Sequence, residues 1–157
     1  MVMAKATVSS NEDSWPAKAT DLRTRAWRLF FEQHARLVGM LEDELRSGLD
    51  LSLTWYDVLL HLAEAPQNRL RMRELSDALV ISKSGLTGLI DRMEKARLVE
   101  RRQVAGDRRA VEVGLTPAGH ARFESAARLH RAGIHRHFVE RLEEADGAAL
   151  LAIFEKL

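Results

Sequence analysis

Apolar residues recur at helical three-four spacing from residue 21 onward: Trp27, Phe30, Phe31, His34, Leu37, Val38, Leu41 and Leu45 form one stripe, with Arg23, Arg28, Arg36 and Glu42 between them. That spacing predicts a long first helix, stopped by Gly48. A second, short helix is expected to start at Ser52-Leu-Thr54, with Asp57 three residues after Thr54 as the acid of a capping box. It carries Trp55, Val58, Leu59 and Leu62 and ends at Pro66. Residues 1–20, with Ser9, Ser10, Asn11, Asp13, Ser14 and Pro16, show no period and read as a mobile arm.

Residues 69–72 alternate polar and apolar, which suggests a brief strand, and Leu75, Ala78 and Leu79 mark one face of a third helix. After a tight connection at Val80-Ile81, Ser82 can cap a fourth helix. Its inward face is Leu86, Leu89, Ile90 and Met93, and its outward face is Lys83, Ser84, Thr87, Asp91, Arg92 and Lys95. Leu98 to Val104, a Gly-Asp turn, and then Val111, Val113 and Leu115 at period two read as a β-hairpin. Thr116-Pro117 opens a fifth helix carrying Phe123, Leu129, Phe138 and Leu142, and a sixth begins at Asp146 with Ala149, Leu150, Ile153, Phe154 and Leu157 on its apolar face. The expected fold is mainly α with a small β-hairpin wing. Residues 1–20 are expected as an arm, 21–50 as one long helix, 51–116 as a helix-turn-helix lobe with the wing, and 117–157 as a C-terminal helical layer.

Composition changes this picture in two places. The chain contains no cysteine, which removes disulfides, thiolate zinc sites and thiol-based sensing, and fits a reducing cytoplasm. No apolar run approaches the ~20 residues that span a bilayer, and the first residues lack the charged-then-apolar order of a secretion signal. The net charge is only +1, but residues 69–109 hold 11 Lys and Arg against 6 Asp and Glu, a local +5 balanced by −4 in the remainder. The middle segment is therefore where a polyanion would be met.

A helix that enters a major groove needs small hydroxyls and cations near its N-terminal end. Ser82, Lys83, Ser84 and Thr87 supply them, and Arg92 further along suits the phosphate backbone. A Ser-Lys-Ser start also caps ordinary solvated helices, so the hairpin that follows carries weight. Arg101 and Arg102 sit on its first strand, and Arg108 and Arg109 beside its turn, where guanidinium groups on a thin projection suit a narrow minor groove. Asp107 is placed to brace Arg109 by a charge-assisted hydrogen bond.

Several stretches together resemble the MarR (multiple antibiotic resistance regulator) family. They are Leu53-Thr-Trp-Tyr-Asp-Val-Leu-Leu, Met72-Arg-Glu-Leu-Ser, Ser82-Lys-Ser-Gly-Leu-Thr, Asp91-Arg-Met-Glu, Leu98-Val-Glu-Arg, and Asp107-Arg-Arg-Ala with Leu115-Thr-Pro-Ala-Gly119. The resemblance runs from about Leu22 to the end. It implies a homodimer built from the first, fifth and sixth helices that binds a pseudo-palindromic operator on double-stranded DNA, most simply as a repressor, with Arg109 in the minor groove supported by Asp107. Two positions depart from the family pattern. Many relatives carry arginine where this chain has Gly88, and glycine where it has Arg97 after the recognition helix.

The resemblance also implies a small aromatic or phenolic effector, for which Trp27, Arg28, His34, Trp55 and His61 are the candidate contacts. The same aromatic and histidine positions also suit a core. His130, His135 and His137 do not have the spacing of a zinc pair and read as a solvated or interfacial cluster, so no metal or cofactor is expected. No HExxH, G-x-S-x-G or phosphate-loop motif is present, so an enzyme using His34 or His61 as base lacks a partner group and catalysis is not expected. The alternative reading is a ligand-binding or anti-repressor dimer that has lost operator binding, suggested by Gly88 and opposed by Arg108 and Arg109.

Overall fold

The computed structural model describes residues 21–79, 81–104 and 107–157, with side chains at 107–109 excepted. The expected arm at 1–20, Val80 of the expected connection, and residues 105 and 106 of the expected turn lie outside the described residues. The chain divides after Arg36 into an N-terminal unit and a larger unit, Leu37–Leu157.

In the N-terminal unit, Asp21 accepts a hydrogen bond from the Arg23 backbone at 3.0 Å and so caps helix α1, Leu22–Leu49. Trp27 packs its ring 6.0 Å from Phe30 and 6.3 Å from Phe31, and Phe30 lies 6.2 Å from His34. Trp27 and Phe31 remain 58% and 62% exposed.

In the larger unit the chain continues from the last turns of α1 into α2 (Leu53–Glu64), β1 (Arg69–Arg71), α3 (Met72–Leu79), α4 (Lys83–Lys95), β2 (Val99–Val104), β3 (Asp107–Leu115), α5 (Pro117–His137) and α6 (Glu144–Phe154). The three strands form an antiparallel sheet in the order β1-β3-β2. Its register puts Arg69, Gly114 and Glu100 in one cross-strand row, and the bare glycine lets the Arg69 side chain cross β3 to reach Glu100 at 2.9 Å. The core gathers Leu45, Leu51, Val58, Leu59, Leu62, Leu75, Leu86, Ile90, Met93, Val99 and Val113. Each such side chain contributes about 1.5–3 kcal/mol by leaving water, so a truncation such as Leu86→Ala would loosen α4 from everything beneath it.

Four expected boundaries and one expected buried face differ from the reading of the sequence. Helix α1 does not stop at Gly48 but runs to Leu49, and Asp50 turns the chain with φ 46°. Gly48 serves packing instead, since a Cβ there would meet Leu129 Cδ2 at 2.9 Å. Helix α2 is capped by Ser52, which accepts from the Trp55 backbone at 3.2 Å, and not by Thr54 with Asp57. Helix α3 buries Leu75 and Ser76 while Ala78 stays exposed. Helix α5 ends at His137, so Phe138 and Leu142 lie beyond it, on either side of a 3-10 turn at Val139–Arg141. Helix α6 starts two residues early, because Glu143 and Asp146 form its capping box and Asp146 is the third residue of the helix.

Candidate nucleic-acid interface

Helix α4 is presented as its sequence pattern requires. Leu86, Leu89, Ile90 and Met93 are buried, and Lys83, Ser84, Thr87, Asp91, Arg92 and Lys95 are all exposed. Ser82 holds extended backbone and accepts from the Gly85 amide at 3.1 Å, so its hydroxyl ends the helix and is shared with Ser84 at 3.2 Å. The Thr87 hydroxyl donates to the Lys83 carbonyl at 2.9 Å, leaving its methyl and its acceptor lone pairs for any partner. Behind α4, the Ser76 hydroxyl donates to the Ile81 carbonyl at 2.8 Å and ties α3 to the connection into α4.

The far end of α4 is closed by paired backbone bonds, Leu98 N–H to Met93 O at 3.0 Å and Arg97 N–H to Glu94 O at 2.9 Å. This closure places Arg97 at φ 60°, where glycine is the usual occupant. The Arg97 carbonyl accepts from the Thr116 hydroxyl at 2.6 Å, and Gly119 N–H donates to the same hydroxyl at 3.0 Å. A Cβ at Gly119 would sit 1.9 Å from the Leu98 carbonyl oxygen. The Leu-Thr-x-x-Gly pattern therefore has a structural cause: α5 starts directly on the joint between α4 and the hairpin.

Strand β2 is fastened to α4 by Arg101, which sequence reasoning places on the hairpin beside Arg102 without indicating this partner. Arg101 reaches Asp91 at 2.6 Å, Glu94 at 2.7 Å and the Thr87 carbonyl at 3.2 Å, while its amide donates to Glu94 at 3.1 Å. Its side chain is only 24% exposed. The signal was present as two acids three residues apart on the otherwise cationic outward face of α4, each needing a partner. Arg102, by contrast, is 62% exposed and pairs with Glu100 at 2.8 Å. The hydrogen bond from Arg69, with Arg102 beside it, holds the Glu100 carboxyl below the usual carboxylate range. Asp107, Arg108 and Arg109 begin β3, and the expected bracing of Arg109 by Asp107 lies outside the described residues because it concerns their side chains.

Two clefts flank α4. One, about 590 Å³, lies between α3, α4 and the hairpin and includes Arg71, Arg73, Lys83, Thr87 and Arg101. The other, about 790 Å³, is lined by Arg46, Asp50, Trp55, Arg92 and Arg122. Of the five candidate effector contacts, only Trp55 lines either cleft. Trp27, Arg28 and His34 are exposed on α1 in the N-terminal unit, and His61 is half-buried on α2.

His130, His135 and His137 do not share one cluster, and only His135 is exposed. His130 is half-buried with its ring 4.6 Å from Tyr56, His137 Nε2 lies 2.7 Å from Glu44, and His135 lies 3.1 Å from Glu140. Burial pushes His130 below its ordinary pKa, against the opposing pull of Asp57, and burial pushes Asp57 up. The hydrogen bond from His137 holds Glu44 below the usual range. Three groups drawn to three different partners leave no shared coordination point. Among the described residues, no set of three or more His, Asp or Glu is placed to hold a metal ion, and no helix is long and apolar enough to cross a membrane.

Comparison with known proteins agrees with this geometry. A MarR family model matches residues 49–110. AbsC, a MarR family transcriptional regulator from Streptomyces coelicolor, is 35% identical with TM-score 0.78, covering 85% of this chain and 89% of that one. Sco3205, a MarR family transcriptional regulator from the same organism solved in complex with DNA, is 27% identical with TM-score 0.80, covering 91% and 89%. The HTH-type transcriptional repressor YetL of Bacillus subtilis (strain 168) is 33% identical over 78 residues, 50% of this chain and 47% of YetL. The chain thus spans about half the length of the curated relatives it matches.

Proposed function

The chain belongs to the MarR family, and from that premise we propose that it is a homodimeric, sequence-specific DNA-binding regulator, acting in the cytoplasm as a repressor on a pseudo-palindromic operator. The observation that carries the reading is the outward face of α4, with hydroxyls and Lys83 at its N-terminal end and a hairpin locked to it through Arg101. Two such helices would occupy successive major grooves about 34 Å apart, with Ser82, Lys83, Ser84 and Thr87 toward the bases. Arg102, Arg108 and Arg109 would reach the backbone and the adjoining minor groove, with Asp107 bracing Arg109.

A second copy of the chain is the partner best suited to its exposed apolar surface. Large hydrophobic side chains more than a third exposed occur among the described residues only toward the two ends, as Leu22, Trp27 and Phe31 in one unit and Ile134, Val139, Leu151 and Ile153 in the other. The winged lobe between them has none. Residues 21–50 and 117–157 therefore read as the dimer layer, and Leu151→Glu with Ile153→Glu should give a monomer by light scattering at micromolar concentration. An unchanged dimer mass would remove α6 from that layer. A small aromatic or phenolic effector bound near Trp55 would release DNA only by its differential affinity for a dimer shape whose helix spacing misses one duplex turn.

The test is selection from random-sequence duplexes followed by the salt dependence of binding. An enriched inverted repeat, with affinity falling steeply with salt, supports the reading. Arg109→Ala should weaken binding at that site and leave the dimer intact. Selection that enriches nothing, with weak binding even at low salt, would leave a dimer that does not read DNA.

A further inference from the structure

We propose that Arg92 is a specificity-determining residue, which reads a guanine in each half-site because Gly88 leaves room for its guanidinium on the recognition face. The proposal rests on the reading of α4 as the helix that enters the major groove.

Gly88 lies in the middle of α4. A Cβ added there would meet one atom within 4 Å outside the backbone of its own helix, Arg92 Nη1 at 3.7 Å. The arginine side chain therefore folds back one turn and lies against the bare glycine. Helical side chains lean toward the helix N-terminus, so the direction is the natural one. What is particular here is that residue 88 carries no long side chain to stop it, since a Cβ alone would only touch the guanidinium. Residue 88 is about 40° round the helix from residue 92 and about 6 Å closer to the N-terminus. It is also nearer the middle of the face made by Ser84, Thr87, Asp91 and Lys95. The positive charge is thus carried from the edge of that face, near the end of the helix, toward the end that approaches base edges.

Arg92 borders the cleft with Arg46, Trp55 and Arg122 and has no competing ion pair among the described residues. It is exposed, whereas Arg101 is committed to Asp91 and Glu94. An exposed, planar guanidinium on a groove-facing helix is suited to the paired acceptors O6 and N7 of guanine.

The experiment compares the motifs enriched from random duplexes by the unmodified protein, Arg92→Lys, Arg92→Ala and Gly88→Leu, with folding checked by circular dichroism. The unmodified protein should require guanine at one symmetric pair of positions. Arg92→Lys keeps the charge but loses the planar fork, so preference at that pair should fall by about tenfold while the salt slope is retained. Gly88→Leu keeps Arg92 but fills its resting place, and should lose the same preference at the same pair. If Arg92→Ala lowers affinity for all sequences alike and lessens the salt slope by about 0.9 for each phosphate no longer neutralised, with the motif unchanged, Arg92 touches phosphate only and the proposal is overturned. A motif unaffected by Gly88→Leu overturns the role given to the glycine. If the unmodified protein enriches nothing, the DNA reading itself has failed and this proposal falls with it.

Discussion

Replacing Arg97 by glycine should make the protein more stable by about 1 kcal/mol. The paired bonds that close α4, Leu98 N–H to Met93 O at 3.0 Å and Arg97 N–H to Glu94 O at 2.9 Å, require left-handed backbone at the residue between them, and Arg97 takes φ 60° to provide it. For a residue with a Cβ this conformation costs about 1–2 kcal/mol. Glycine avoids that cost but gives up about 0.5–1 kcal/mol through the greater freedom of its unfolded chain, so the net gain is about 1 kcal/mol. Little is lost with the side chain, which is exposed and makes no ion pair with a described residue, and the carbonyl that accepts from Thr116 is retained. For a chain of this size the gain corresponds to a rise in Tm of about 2–4 °C, read by circular dichroism at one fixed concentration because the Tm of any oligomer depends on it. Arg97→Ala is the control: it removes the same charge and keeps the Cβ, so it should change Tm little. If alanine stabilises as much as glycine, the gain comes from removing the side chain and the backbone argument is wrong. If glycine is neutral or destabilising, the left-handed residue carries no cost worth relieving.

Gly119→Ala should destabilise by about 3 kcal/mol or prevent folding, since its Cβ would lie 1.9 Å from the Leu98 carbonyl oxygen and α5 cannot retreat without breaking the Thr116 bonds; a near-normal urea midpoint would show that the joint is soft. Arg101→Ala should cost about 1 kcal/mol of stability, the exposure of both acids limiting it. It should weaken operator binding by more than that implies, because Asp91 and Glu94 are then left unpaired beside DNA phosphate; titration at two salt concentrations checks it, and unchanged affinity would mean that the clamp does not position the hairpin. Below pH 6.5 the unfolded chain protonates His130 while the folded chain resists, so the folded state binds fewer protons and loses stability as pH falls. His130→Phe, which can still stack on Tyr56, should show a shallower decline of Tm between pH 7.5 and 5.5 than the unmodified protein, and parallel curves would assign the acid sensitivity to other groups.

Periodicity located the elements well where one face meets a continuous core. All four apolar positions expected inward on α4 are buried and all six polar positions expected outward are exposed, because this helix packs through one side only. Element ends were less legible, because competing local choices look alike in sequence. Ser52 and Thr54 both offer a capping hydroxyl, and the choice falls to Ser52 while Asp57 turns instead toward the surroundings of His130 and His61. Gly48 has the composition of a stop, yet its smallness is used against Leu129 on α5, two residues before the chain turns. Neither distinction can be made without knowing where α5 lies. Gly88 shows the same limit at the candidate site, since the missing side chain was visible in the sequence while the arginine lying against it was not.

Charge shows the limit most clearly. The count of +5 over residues 69–109 was available from the sequence, but it treats eleven cations as equivalent. Folding does not. Arg69 and Arg102 are both drawn to Glu100, Arg101 to Asp91 and Glu94, and Arg73 to Asp77, the last at 3.9 Å and largely solvated. Pairing removes cations and acids together, so the local excess survives while its location contracts. Among the described residues it passes to Arg71, Lys83, Arg92, Lys95 and Arg97, three of them on α4. The paired arginines then have a different role from the one a charge count assigns. They hold the sheet in register and the hairpin against α4, and on the proposed reading the remaining cations would face a polyanion from that fixed frame. A substitution that unpairs one of them adds no useful positive charge; it exposes an acid where phosphate would come.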